Sequence, residues 1–177
     1  ETPEVPETPE QPETPAEQVT LTKVTNVNML TDGAKILLTY GDEFTVGAYD
    51  ESKFASVAFA ATQTTINADQ KVIVLVKSGE YWALKVDDKY ISYTGSKNNV
   101  QLSDEINASS QWTISVDEEG KLIITNKATP ERLLQYNASN PRFVCYKASS
   151  NQFNTEAYVI NWTADPVAPV EPTDEEL

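Results

Sequence analysis

Between residues 19 and 162 the apolar residues come in short alternating runs, rich in β-branched and aromatic side chains and separated by Gly, Asn, Asp and Ser. Alternation at every second position suits strands laid over a core, whereas a helix would space its apolar residues by three and four over longer windows. The runs predict thirteen strands, at 19–24, 36–40, 44–48, 54–59, 72–76, 81–86, 90–93, 100–103, 112–116, 122–126, 133–136, 143–146 and 157–162. Turn chemistry such as Lys77-Ser78-Gly79-Glu80 and Asp117-Glu118-Glu119-Gly120 joins neighbours into hairpins. No room is left for a crossover helix, beyond one turn near 26–32.

The runs also repeat. Lys89-Tyr90-Ile91-Ser92-Tyr93-Thr94 aligns with Arg132-Leu133-Leu134-Gln135-Tyr136-Asn137 as basic, apolar, aliphatic, polar, Tyr, polar. Ten residues separate Phe44 from Phe54, Tyr90 from Val100, and Leu133 from Phe143. Each unit then closes on another apolar strand, which divides the chain into three four-stranded units at about 36–76, 81–116 and 121–162. Twelve strands in three equal units fit a closed barrel capped by hairpins, which protects its edges. A two-sheet β-sandwich is the alternative for an all-β chain of this kind. Trp82 and Trp112 begin equivalent apolar strands and read as core. Trp162 reads as packing the closing strand against the start of the body.

This spacing resembles a β-trefoil, the layout of ricin-B-type lectins. The Gln-any-Trp signature of those lectins is approached only by Ser110-Gln111-Trp112, and the other two units lack it. The phrases from Leu30 to Leu38 and from Leu134 to Phe143 also resemble uncharacterised modules of secreted proteins and surface lipoproteins of gut bacteria. That likeness implies an extracellular location and no reaction.

The ends differ from the body. Pro3, Pro6, Pro9, Pro12 and Pro15 stand in a strict three-residue period among glutamates, and Pro166, Pro169 and Pro172 repeat the pattern beside further acids. Such segments cannot bury a core. They predict a disordered acidic stalk at 1–18 and a matching tail at 165–177 around an all-β domain at 19–164. The ends hold 11 of the 27 acidic residues and none of the 13 Lys and Arg, so most of the formal charge of −14 belongs to them and the body is nearly balanced. With no basic patch to neutralise phosphates, nucleic-acid binding is not expected. There is no apolar stretch long enough to span a membrane. The expected location is extracellular or cell-surface, anchored through the N-terminal stalk.

The chemistry is equally bounded. The chain contains no histidine, so Ser-His, Cys-His and His-metal arrangements are absent, and no Gly-rich phosphate cradle occurs among its six glycines. The carboxylates Asp50 with Glu51, Asp87 with Asp88, Asp104 with Glu105, and the 117–119 run fall in predicted turns, without the spacing of a calcium loop. Cys145 lies in an alternating strand with no evident base and reads as a small core residue. No enzyme activity, metal or cofactor is expected. The loops after Tyr93 and Tyr136 are more suggestive, because amides and an arginine stand beside an aromatic in both: Tyr93 with Asn98 and Asn99, and Tyr136 with Asn137, Asn140 and Arg142. Sugars are held by stacking on aromatic faces and by hydrogen bonds to hydroxyls. In lectin trefoils, the resemblance implies, the hairpin at this place forms the binding pocket. The same residues also read as ordinary turn chemistry with two tyrosines closing the core. The expected function is a surface binding module for carbohydrate, acting as a monomer on a glycan or surface protein. The alternative is a structural or adhesive spacer.

Overall fold

The computed structural model of the chain describes residues 18–163. The strands are β1 (Val19–Lys23), β2 (Lys35–Tyr40), β3 (Phe44–Asp50), β4 (Lys53–Ala58), β5 (Ile73–Ser78), β6 (Tyr81–Val86), β7 (Lys89–Ser92), β8 (Gln101–Ser103), β9 (Trp112–Val116), β10 (Leu122–Asn126), β11 (Arg132–Asn137), β12 (Arg142–Lys147), β13 (Phe153–Asn154) and β14 (Glu156–Trp162). Every expected run becomes a strand with its ends shifted by a residue or two. The additional strand, β13, spans two residues and so carries no alternation to read. The turn expected near 26–32 is a 3₁₀ turn, Val27–Met29, capped by the Asn26 side chain, which accepts the Asn28 N–H at 2.6 Å. The acidic ends expected at 1–18 and 165–177 lie outside the described residues except for Gln18, whose carbonyl accepts the Thr163 N–H at 3.0 Å.

Six strands close into a ring. β14 pairs with β2, β2 with β5, β5 with β6, β6 with β9, and β9 with β10. The Leu122 N–H then donates to the Thr155 carbonyl at 2.7 Å, joining β10 to the residue that leads into β14. Closure gives each of these strands a bonded neighbour on both sides, which an open sandwich does not do at its edges. Ile36 and Leu38, Trp82 and Leu84, and Leu122 and Ile124 are buried in the main core from the three equivalent strands. Trp112, fully buried opposite Trp82, donates its indole N–H to the Ile91 carbonyl at 2.9 Å.

Three hairpins cap the ring: β3–β4, β7–β8 and β11–β12. They bond to one another in a circle, with Phe54 paired to Phe143, the Val100 N–H on the Ser52 carbonyl at 2.9 Å, and the Cys145 N–H on the Asn99 carbonyl at 3.1 Å. The residues with the shared ten-residue spacing, Phe54, Val100 and Phe143, are buried in the cap. A tyrosine accompanies each: Tyr136 opposite Phe143, Tyr49 opposite Phe54, and Tyr93 where the Ser92–Gln101 pairing runs on towards Val100. Tyr49 escapes the sequence repeat because it stands five residues after Phe44, beyond a bulge between Val46 and Tyr49, whereas Tyr93 and Tyr136 stand three after Tyr90 and Leu133. Gly47 lies in that bulge, and a Cβ there would stand 2.7 Å from Val57 Cγ1.

β2 is apolar at consecutive positions because both its faces are covered. Leu37 joins Val19, Phe59, Tyr158 and Ile160 in a second cluster outside the barrel. This cluster is roofed by the 59–72 connection, 14 residues against eight in the other two units. Reciprocal amide bonds between Gln63 and Gln70, at 2.7 and 3.1 Å, brace that connection. β1 completes it, pairing with β14 and donating the Val19 N–H to the Thr64 carbonyl at 2.7 Å.

The β6–β7 turn offers a direct stability test. Asp87 and Asp88 both have positive φ, 50° and 66°, between the paired Val86 and Lys89, as a two-residue turn matched to strand twist demands. Asp87 pairs with Lys71 at 3.0 Å, so Asp88 is the position to relieve. Asp88→Gly is expected to stabilise the fold by about 0.5–1 kcal/mol and Asp88→Val to destabilise it by a similar amount or more, measured by urea unfolding.

Candidate functional site

The most exposed of the expected sites is the tip of hairpin β11–β12. Asn137 and Arg142 form its last cross-strand pair, so their side chains share one face, and Tyr146 shares that face because it lies an even number of residues along β12. The side-chain Oδ1 of Asn137 accepts the N–H groups of Ser139 and Asn140 at 2.9 and 3.0 Å, an Asx turn that closes the loop. Its amide nitrogen donates to the Tyr146 hydroxyl at 3.0 Å, and Arg142 Nε donates to the same oxygen at 3.1 Å. Tyr146 is buried, and so it fixes the guanidinium from a rigid base. Arg142 is half-buried, its two terminal nitrogens meet no acceptor among the described residues, and Asn140 is exposed. The tip thus holds a half-buried guanidinium on a buried hydroxyl, in a loop whose Asn140 is exposed.

The other expected residues are placed differently. Arg132 lies at the base of the same hairpin, paired with Lys147, five residues from the tip and about 17 Å away at strand rise. It donates to the Ser96 carbonyl at 2.7 Å and to Asn98 Oδ1 at 2.8 Å, and its guanidinium lies over the Tyr93 ring at 5.1 Å. Asn99 Oδ1 accepts from Gln101 at 2.9 Å, and the Tyr93 hydroxyl donates to the Lys97 carbonyl at 2.8 Å. The amide acceptors of the 94–99 loop are therefore engaged within the fold. Tyr93 and Tyr136 are both buried. Burial pushes the Tyr93 hydroxyl above its usual range, partly countered by Arg132. The Tyr136 ring stacks on Tyr40 at 4.4 Å and meets Phe143 at 4.8 Å, with its hydroxyl 2.9 Å from Ser56 Oγ. Neither ring offers a face to a sugar. The structure thus joins Asn137, Asn140 and Arg142, ties Tyr93 to the Asn98 loop through Arg132, and places Tyr136 in the core.

Sequence reading missed Tyr146, although the alternation of β12 already aligned it with Arg142. It also missed Phe153, which is 43% exposed and leans on Tyr40 at 5.2 Å. The carboxylates at 50–51, 87–88, 104–105 and 117–119 lie in or beside turns. Asp117 accepts the N–H groups of Glu119 and Lys121 at 2.8 and 2.9 Å, bonds to its charged form that hold its carboxyl below the usual range. Cys145 is fully buried, and desolvation pushes its thiol far above the ordinary range, so it is poor as a nucleophile.

Comparison with known proteins bears on the fold. The chain resembles the structure of SeviL bound to asialo-GM1 saccharide, at 17% identity and a TM-score of 0.53, over 76% of this chain and 100% of that one. It also resembles BEL beta-trefoil, at 14% identity and 0.56, over 75% of this chain and 96% of the other. The fold is a β-trefoil. A GH43 β1,3-galactosidase matches at 12% identity and 0.59, and there the trefoil corresponds to 29% of a longer enzyme. No family model and no curated protein matches the chain. No helix among the described residues is long and apolar enough to cross a membrane.

Proposed function

We propose that this β-trefoil is a non-catalytic carbohydrate-binding module displayed outside the cell on its acidic proline-rich ends, and that a saccharide docks at the tip of hairpin β11–β12. The observation that carries the reading is the Arg142–Tyr146–Asn137 constellation. A pyranose presents vicinal hydroxyls, each donor and acceptor, and the remaining donors of the guanidinium, with the exposed Asn140 amide in the same loop, match that pattern. Because Tyr146 holds Arg142 in advance, less rotamer freedom is lost on binding. The resemblance to SeviL, which is bound to asialo-GM1 saccharide, supports a sugar ligand on this kind of fold.

A glycan array probed with the full chain tests the reading. At least one glycan class should bind, and Arg142→Ala should weaken it tenfold or more while leaving the thermal midpoint within a few degrees, since the side chain is half-exposed. A folded sample that binds no glycan at all would sink the proposal.

A further inference from the structure

Resting on that reading, we infer that the saccharide bound at the β11–β12 tip carries a carboxylate, taken bidentately by the outer edge of the Arg142 guanidinium. Arg142 donates through Nε to the Tyr146 hydroxyl at 3.1 Å, which ties the group to a buried anchor and leaves its two terminal nitrogens as further donors. Among the described residues these nitrogens have no hydrogen-bond acceptor, and no Asp or Glu lies within salt-bridge distance of them. The other arginine differs: Arg132 is buried, and its terminal nitrogens are taken by the Ser96 carbonyl and Asn98. Arg142 is thus a guanidinium anchored through Nε and without a counter-charge among the described residues.

Its geometry selects the ligand group. Two parallel N–H donors on one planar edge match the two oxygens of a carboxylate, and such a pair is stronger and more directional than a bond to a neutral hydroxyl. The long-range field gives no help, because the chain has a formal net charge of −14 and repels anions at a distance. Within the Debye length of about 8–10 Å the local fork prevails. Asn140, two residues before it in the same loop, is exposed and its amide is able to take a sugar hydroxyl. Uronic acids and sialic-type sugars are the classes with this combination of carboxylate and hydroxyls.

The test is an array of matched glycans: oligosaccharides ending in a uronate or a sialate, the same glycans with the carboxyl reduced to the alcohol, and sulfated counterparts. The wild-type chain should bind the carboxylates at least tenfold better than their reduced forms and better than the sulfates, with the preference falling as salt rises. Arg142→Lys, which keeps the charge and loses the fork, and Arg142→Gln should both bring the acid-to-alcohol ratio towards one. Tyr146→Phe, which removes the acceptor that orients Nε, should lower that ratio in part. Equal binding of acid and reduced forms, or a ratio that survives Arg142→Gln, overturns the carboxylate assignment and leaves the carbohydrate reading standing. Sulfates bound as well as carboxylates overturn it too, since charge alone would then select. A chain that binds none of the three sets overturns both readings together.

Discussion

Truncating Phe143 to alanine is expected to lower the unfolding free energy by about 3–5 kcal/mol. The ring is fully buried, paired across strands with Phe54 and tilted against Tyr136 at 4.8 Å, at the place where the three hairpins bond to one another. Deletion removes the transfer free energy of the ring and leaves a cavity that the closed cap is poorly able to collapse. For a domain of this length the loss corresponds to a fall in thermal midpoint on the order of 10 °C. Phe143→Leu, which refills most of the volume, should cost less than half as much. Calorimetry and urea unfolding give both values. A loss under 1 kcal/mol for the alanine variant would contradict the packing of the cap.

Arg132→Ala is expected to cost about 2–4 kcal/mol and to loosen the 94–99 loop. The side chain is 3% exposed, an unusual place for a charge with no carboxylate within bonding distance among the described residues. It is held instead by the carbonyls of Ser96 and Cys145, by Asn98 Oδ1 and by the face of Tyr93. Removing it leaves those acceptors without their donor, at about 1–3 kcal/mol for each that stays buried. Arg132→Lys should recover only part of the loss, because one ammonium cannot span acceptors set for a fork. Arg132→Met restores volume without donors, so it reads out the hydrogen bonds separately from the packing. Limited proteolysis should show faster cleavage between Thr94 and Asn99 in the alanine variant. Unchanged stability and cleavage would mean that the loop is held by its own turns.

The alternation of apolar residues was enough to place every strand longer than two residues, because a half-buried strand must alternate whatever it packs against. The ten-residue spacing that ends on Phe54, Val100 and Phe143 was likewise readable as a threefold, since each hairpin has to deliver one apolar residue to a common cap. Tyr49 could not be matched to Tyr93 and Tyr136 by spacing, because Gly47 stands at the equivalent position and the bulged strand delivers its tyrosine two residues later.

What composition and pattern could not decide was which face of a polar loop looks outward. Both candidate loops combine a tyrosine with amides, and only tertiary contacts separate them. Arg132 reaches from the third unit to occupy the amide of the second unit's loop, whereas Tyr146 holds Arg142 from one side and leaves the other side open. The sequence by itself thus determined the strands, the threefold order and the absence of histidine chemistry, all of which depend on residues near one another in the chain. The tertiary structure decided ring closure through Leu122 and Thr155, the burial of Tyr93 and Tyr136, and the isolation of Arg142, because each depends on groups brought together from distant strands, and a residue's solvent exposure is set by what packs against it.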